Sequence, residues 1–257
     1  MRFLGMGSIT ALAILACASV ARADERKYTY SYEAKTLPTG MWEFESWATL
    51  RAHRDEGKVW FLDLREEIEY GVTDRFTVAG YLNLDVESLK NVPGEKDETE
   101  LEFESISVEL KYKVTDPVAD PIGVLLYAEV AAGPDEQELE LKLILNKQLG
   151  PINLVYNLIF ELEREKDGSE WENESMITNT FGASVDLASN WAVGAELVIR
   201  TLFEQNFKER EQTGALVGPN VHYFSKSWWI TATFLVLTRD PDAFEKYEAR
   251  IIFGINF

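Results

Sequence analysis

The chain has 257 residues, and its 44 acidic residues against 25 basic ones give a formal net charge of −19 at pH 7. A chain this acidic is not expected to bind nucleic acid, because the phosphates repel it. It has a single cysteine, Cys17, which excludes an internal disulfide framework.

The N-terminus has the pattern of an export signal. Arg2 precedes an apolar stretch over residues 3–20, and Ala21-Arg22-Ala23 forms a small-x-small cleavage site. We therefore predict a signal peptide at residues 1–23, whose removal also removes Cys17. A retained membrane-spanning helix is the alternative, and the glycines and serines in the stretch disfavour it. The mature chain would have 23 basic residues (25 − 2) against 44 acidic ones, a net charge of −21.

Residues 24–39 are polar and rich in tyrosine, with Tyr28, Tyr30 and Tyr32 at alternate positions. In an extended segment these three rings lie on one side. Two interpretations follow from the sequence. The segment is either a periplasmic tail or a small plug that folds into the interior of the domain after it.

From Gly40 onward, apolar and polar residues alternate with period two, and the spacing typical of amphipathic helices is nearly absent. This pattern predicts one all-β domain over residues 40–257. Twelve strands are predicted, at residues 41–52, 58–70, 75–87, 101–114, 122–132, 138–148, 152–163, 175–187, 190–203, 213–224, 227–238 and 246–257.

The predicted connections between the strands are of two kinds. One set is short, such as residues 71–74 and 149–151, and the other is mostly longer and charged, such as residues 88–100 and 164–174. Short turns at one end and long loops at the other are typical of an antiparallel up-and-down barrel in an outer membrane, with the short turns in the periplasm.

Strand length and aromatic placement favour a membrane barrel over a soluble sandwich. Ten residues at a tilt of about 40° cover about 25 Å, the height of the apolar band. Aromatic residues are predicted to form a girdle near the short turns, from Trp42, Phe44, Tyr70, Phe76, Tyr112, Trp191, Tyr223, Trp228 and Phe257. A thinner set is predicted at the other rim, from Trp60, Phe203 and Tyr247.

The last seven residues, Ile251 to Phe257, are mostly apolar and end in an aromatic ring. This ending resembles the C-terminal signal by which Gram-negative outer-membrane barrels are recognised, which implies the barrel-assembly machinery as a partner. The runs Glu69 to Phe76 and Val217 to Asn220 resemble poorly characterised porin-like families labelled by analogy with phenol-degradation gene clusters. The resemblance implies an outer-membrane barrel in contact with lipid and lipopolysaccharide, and it supplies no catalytic motif, cofactor or substrate.

If the apolar faces contact lipid, the polar faces line a lumen in which acids outnumber bases. The lumen-lining candidates are Glu43, Glu45, Asp63, Arg65, Glu67, Glu69, Glu109, Lys111, Glu129, Glu161, Glu196, Arg200, Asn220, His222, Glu248 and Arg250. Because carboxylates raise the local concentration of cations, we predict a porin-like channel or transporter for small polar or cationic solutes.

A closed structural or adhesion barrel is the first alternative, in which charges pair across strands and fill the lumen. Such pairs are predicted between the set Asp63, Arg65 and Glu67 and the set Glu109, Lys111 and Lys113.

The second alternative is an outer-membrane lipid hydrolase, which needs a nucleophile and a histidine within hydrogen-bond reach. The nearest pair in sequence is His222 with Ser225, and Ser46 is a spatial candidate for His53. A metal site needs three or four converging donors, so we predict a structural His222 and a solvated His53. We expect no enzymatic activity, no metal and no cofactor.

Overall fold

The computed structural model describes residues 25–52, 58–92, 96–168, 170–188, 190–204, 207–239 and 244–257. The predicted signal peptide at residues 1–23 and the prediction for His53 lie outside these ranges. Within the ranges, no helix is long and apolar enough to cross a membrane. The domain is built from β-strands and their connections.

Twelve strands follow one another in chain order. They are β1 (Trp42–Ala52), β2 (Lys58–Thr73), β3 (Phe76–Lys90), β4 (Glu98–Thr115), β5 (Gly123–Ala132), β6 (Glu136–Leu149), β7 (Ile152–Asp167), β8 (Glu170–Ala188), β9 (Trp191–Glu204), β10 (Glu209–Phe224), β11 (Trp228–Arg239) and β12 (Tyr247–Asn256). Each predicted strand overlaps one of them along most of its length, because period-two alternation suits a sheet with one apolar face.

The strands form a closed antiparallel barrel in which each strand pairs with its sequence neighbours and β1 pairs with β12. The closing register runs from Glu43 opposite Asn256 to Ala52 opposite Tyr247. A sheet that crosses lipid must pair its edge N–H and C=O groups, and closure of the sheet does this. The prediction of an all-β, up-and-down barrel of twelve strands is confirmed.

The barrel has an apolar outer face and a polar inner face. Along β1, Trp42 and Phe44 are exposed on the outside, and the intervening Glu43 and Glu45 are buried inside. On β4, Ile106 is 60% exposed on the outer face. An apolar surface of this extent on a closed barrel is a surface for hydrocarbon contact.

Aromatic rings form a girdle on the outer face near the short turns. The rings of Trp42 and Tyr70 lie 4.6 Å apart between centroids, and those of Trp191 and Tyr223 lie 4.7 Å apart. The ring centroids of Tyr223 and Trp228 are 5.2 Å apart. These five rings belong to the predicted girdle and lie where a membrane–water interface favours amphipathic side chains.

The long loops predicted from the sequence are wrong in extent. β7 and β8 pair as far as Asp167 and Glu170, where the sequence predicts a loop over residues 164–174. β4 and β10 likewise begin earlier than predicted, at Glu98 and Glu209. These extensions are charged and lack an apolar face. Backbone hydrogen bonds can pair the two strands of a hairpin without an apolar face, so the strands continue beyond the lipid.

Residues 25–39 enter the barrel and fill its interior near the short turns. Tyr28 and Leu37 are fully buried there, and Tyr30 and Tyr32 are nearly so. Of the two interpretations of this segment, a tail or a plug, the structure has the plug. We call residues 25–39 the plug.

The barrel wall fits the plug closely. A Cβ atom built on Gly182 would lie 2.7 Å from the ring of Tyr28, and one built on Gly71 would lie 2.1 Å from the carbonyl oxygen of Pro38. Only glycine allows the backbone of the wall to approach the plug so closely at these two positions. The plug is therefore part of the packed interior of the barrel.

Candidate functional site: the plugged lumen and the vestibule

Glu196 on β9 holds the middle of the plug. Its carboxylate accepts the backbone N–H groups of Thr29, Tyr30 and Ser31 at 3.0, 3.0 and 2.8 Å. It also accepts the hydroxyl of Thr233 at 2.7 Å, and all of these groups are buried. Hydrogen bonds to an ionised acceptor are stronger than neutral ones. We call this arrangement the Glu196 latch.

Amide and hydroxyl side chains of the wall hold the rest of the plug. Asn157 accepts the N–H of Tyr32 at 2.6 Å and donates to its carbonyl at 3.0 Å. Other wall residues that hydrogen-bond the plug are Thr77, Asn146, Asn153, Ser184, Asn220 and Thr231. The plug is not one of the twelve strands, so these bonds are separate from the backbone pairing that closes the sheet.

Asp74, in the turn between β2 and β3, fixes the end of the plug. Its carboxylate accepts the hydroxyl of Thr39 at 2.6 Å and the N–H of Thr39 at 2.9 Å. These two hydrogen bonds lower the pKa of Asp74 from its ordinary value. A lowered pKa means that the contact stabilises the fold above the ordinary pKa of aspartate and is lost as the pH falls through the lowered pKa. At neutral pH the contact is fully formed.

Contacts between cations and aromatic rings join the upper side of the plug to the barrel wall. The guanidinium of Arg26 lies 3.8 Å from the ring centroid of Tyr32 and 4.3 Å from that of Trp47. The ammonium of Lys142 lies 4.1 Å from the Tyr32 ring and 4.0 Å from the Tyr127 ring. Ring faces attract cations, so these contacts stabilise a layer across the lumen.

Beyond this layer, towards the long hairpins, the barrel encloses a cavity of about 460 Å³ that we call the vestibule. Tyr30 and Tyr32 of the plug form its floor. Eleven carboxylates and five bases of the described residues line it, namely Asp63, Glu104, Glu129, Glu136, Glu138, Glu140, Glu161, Glu163, Glu174, Glu245 and Glu248 with Arg51, Arg65, Lys142, Arg200 and Arg250. The lining is therefore strongly acidic.

Ion pairs hold four of the five bases. The pairs are Arg51–Asp63, Arg65–Glu129, Lys142–Glu140 and Arg200–Glu248. Arg250 donates to the hydroxyl of Thr49 at 2.8 Å and to the carbonyl of Thr29 at 3.1 Å. Each base therefore either neutralises one carboxylate or holds the plug. The remaining carboxylates leave the cavity with an excess of negative charge.

The excess acids are concentrated on β6, β7 and β8. Residues in register across these strands are Glu138 and Glu163, Glu140 and Glu161, and Glu163 and Glu174. We call these five residues the acidic ladder; one of them, Glu140, pairs with Lys142, and the other four belong to the excess. Like charges directly opposite one another destabilise a sheet, so stability does not explain the arrangement. Its physical effect is a wall that attracts cations.

The sixteen residues predicted to line the lumen lie on the inner face of the barrel, in two groups. The vestibule contains Asp63, Arg65, Glu129, Glu161, Arg200, Glu248 and Arg250. The wall around the plug contains Glu43, Glu45, Glu67, Glu69, Glu109, Lys111, Glu196, Asn220 and His222. The prediction omitted much of the acidic wall, namely Glu104, Glu136, Glu138, Glu140, Glu163 and Glu174.

The predicted ion pairing between β2 and β4 is wrong in its partners. β3 lies between the two strands. Lys111 on β4 reaches over β3 to Glu69 at 2.5 Å, and it contacts Glu109 on its own strand at 3.1 Å. Arg65 pairs instead with Glu129 on β5. Inner side chains of non-adjacent strands meet in this way because the wall curves around the lumen.

His222 is buried in the wall beside the plug. Its Nδ1 lies 2.7 Å from the hydroxyl of Thr231, and its Nε2 lies 3.7 Å from the carboxylate of Glu25. The rings of Phe224 and Trp229 pack against it, with centroids 5.8 and 6.2 Å away. These contacts are those of a structural histidine.

Residues 20–257 match a sequence family described as Family of unknown function (DUF6662). The chain belongs to this family. No curated protein matches it. The comparisons support an outer-membrane barrel, and they do not support the resemblance to families labelled by analogy with phenol-degradation gene clusters.

Three solved structures are similar in fold to this family member. The porin NanC has a TM-score of 0.54 at 8% identity, over 83% of this chain and 98% of the porin. An outer-membrane channel from Pseudomonas putida F1 has a TM-score of 0.54 at 11% identity, over 90% of this chain and 100% of the channel. The translocator domain of the autotransporter NalP from Neisseria meningitidis has a TM-score of 0.51 at 12% identity, over 85% of this chain and 89% of the translocator domain. The shared fold is that of an outer-membrane barrel, and the apolar outer face places this chain in such a membrane.

Proposed function

We propose that this family member is a porin-like channel of the outer membrane for small cationic or polar solutes, closed by its own N-terminal plug. The vestibule is the observation that carries the proposal. It is an acidic chamber of about 460 Å³ that ends on Tyr30 and Tyr32 of the plug. A chamber with this lining raises the concentration of cations at the point where the plug closes the lumen.

The acidic ladder supports selectivity for cations over anions. Its carboxylates face one another across β6, β7 and β8, at a cost to the stability of the sheet. On the opposite wall of the vestibule, Arg51 pairs with Asp63 at 2.7 Å, and Arg250 is held by Thr49 and the carbonyl of Thr29. The field inside the vestibule is therefore set by the ladder.

The way in which the plug is held supports gating. The Glu196 latch and Asn157 bind the backbone of the plug through side chains, and the sheet closes independently of it between β1 and β12. Movement of the plug therefore exchanges side-chain hydrogen bonds for hydrogen bonds to water, and the barrel wall keeps its backbone pairing. Conduction requires this movement in our proposal.

The proposal includes the predicted partners. The barrel-assembly machinery would recognise β12. Phe257, which follows this strand, exchanges backbone hydrogen bonds with Trp42. The apolar outer face would contact outer-membrane lipid and lipopolysaccharide.

Replacing Glu138 and Glu163 together by glutamine is expected to lower cation selectivity and to raise stability. The two carboxylates oppose each other across β6 and β7. Without their charges, the permeability ratio of K⁺ to Cl⁻ should fall by about half, measured from reversal potentials of the open channel in a salt gradient. The free energy of unfolding should rise by about 0.5 kcal/mol, because a like-charge pair is removed.

Glu66→Gln is the matched control. Glu66 lies on the outer face of the same barrel, where its carboxylate accepts the hydroxyl of Ser46 at 2.9 Å. This substitution should leave the permeability ratio unchanged. An equal ratio in the double variant and the wild type would show that the ladder does not set selectivity, and the cation-channel proposal would be dropped.

A further inference from the structure

Three carboxylates converge between the barrel wall and the plug. One oxygen from each of Glu45, Glu67 and Glu69 lies within 4.8 Å of the other two. Each of these side chains belongs to a residue that is only 1% exposed. We call these three residues the carboxylate cluster. It lies on β1 and β2, apart from the vestibule and its acidic ladder.

The cluster and its neighbour Glu109 carry more negative than positive charge. The bases that contact them are Lys111, which lies 2.5 Å from Glu69 and 3.1 Å from Glu109, and Arg26 of the plug, 3.8 Å from Glu45. Among the described residues, these four carboxylates and two bases leave an excess of two negative charges, and Glu43, in register with Glu69, is a further buried carboxylate beside them. Buried charge that is left unpaired is strongly unfavourable, so the site requires further positive charge.

Glu67 shows where that charge is missing. Both of its carboxylate oxygens are buried, and neither accepts a hydrogen bond from an N–H or hydroxyl group of the described residues; the carboxyl group of Glu69 lies beside them. Its two neighbours in the cluster have donors, because Glu45 accepts the indole N–H of Trp47 at 2.8 Å and Glu69 accepts from Lys111. Buried carboxylate oxygens without a partner are rare in folded proteins and call for a ligand.

We propose that the carboxylate cluster binds one divalent cation of the calcium class. Calcium accepts oxygen ligands at 2.3–2.6 Å, so its ligands can stand up to about 5 Å apart, which the 4.8 Å limit satisfies. Magnesium demands near-octahedral geometry and keeps several waters, which three buried carboxylates between wall and plug suit less well than the flexible coordination of calcium. One divalent cation also offsets two of the excess negative charges. The site is independent of the proposed channel function, because it lies in the wall beneath the plug.

Terbium luminescence tests the proposal on the refolded mature protein. Tb³⁺ replaces calcium at carboxylate sites and emits when a nearby indole absorbs light, and Trp47 is hydrogen-bonded to Glu45. After treatment with a chelator, we expect saturable emission at about one equivalent of Tb³⁺ per chain, displaced by Ca²⁺ and not by equal Mg²⁺. Glu67→Gln should lower this emission about tenfold, and metal analysis of untreated protein should find calcium in the wild type only.

The control is Glu66→Gln, the adjacent residue on the same strand with its side chain on the outer face, and its emission should equal that of the wild type. Glu45→Gln serves as a second test if Glu67→Gln does not migrate as a folded barrel on a gel. Equal emission from Glu67→Gln and wild type would place the lanthanide elsewhere and overturn the proposal. The proposal would also be overturned if wild-type protein contained no calcium and an infrared band showed a proton shared by Glu67 and Glu69.

Discussion

Deletion of residues 25–36 is expected to open the barrel, with ion conductance in planar bilayers rising on the order of tenfold or more. The deleted segment contains Tyr28, Tyr30 and Tyr32, the rings that occupy the lumen near the short turns. The barrel should still form, because its closure between β1 and β12 does not involve the plug. In the deleted form, water replaces the plug as the hydrogen-bond partner of wall residues such as Glu196. The polar inner face of the barrel can be hydrated in this way.

The full-length mature protein is the reference for this deletion and should show only rare openings. Far-ultraviolet circular dichroism and heat-dependent gel migration establish that the deleted form is folded. If the folded deletion variant conducts no better than the full-length protein, the plug is not the gate. A folded deletion variant without conductance would also favour the closed structural barrel over a channel.

Glu196→Gln is expected to raise the open probability of the full-length channel about a hundredfold. The carboxylate of Glu196 accepts three plug N–H groups, and a glutamine offers one oxygen together with an NH₂ group that faces these donors. Loss of charge-assisted bonds in a buried site costs about 3 kcal/mol, which corresponds to roughly two orders of magnitude in the equilibrium between closed and open. Single-channel recording measures the open probability directly.

Thr233→Val gives a graded comparison for the latch. It removes one neutral donor from Glu196, a hydroxyl at 2.7 Å, and leaves the plug N–H bonds intact. The expected change in open probability is about fivefold, in the same direction, for a loss of about 1 kcal/mol. Equal effects of the two substitutions, or none from Glu196→Gln, would show that Glu196 does not hold the gate.

The barrel was accessible to sequence reasoning because its signals are local. Alternation such as Trp42, Glu43, Phe44 and Glu45 fixes a strand and its two faces within a few residues. The acidic ladder was accessible in principle as well. The two-residue turn after Leu149 pairs this residue with Ile152 and so fixes the register of β6 and β7, which places carboxylates opposite one another.

The plug and its latch could not be predicted in the same way. Residues 29–31 meet Glu196 across more than 160 positions of sequence, and no periodicity connects them. Two conformations, a free tail and a plug, agree equally well with the alternate tyrosines at positions 28, 30 and 32. The choice depends on the space inside the closed barrel, including the room that Gly182 leaves for Tyr28.

Thiol labelling of the plug tests the central claim, that residues 25–39 lie inside the lumen and close it. With Cys17 in the predicted signal peptide, Ser31→Cys provides the single thiol of the mature chain, at a residue that is 1% exposed. In the folded barrel, a membrane-impermeant maleimide should label Cys at this position at least about a hundredfold more slowly than in the urea-unfolded chain. Adding Glu196→Gln should speed the labelling. Labelling of the folded single variant as fast as that of the unfolded chain would show that the segment lies outside the lumen.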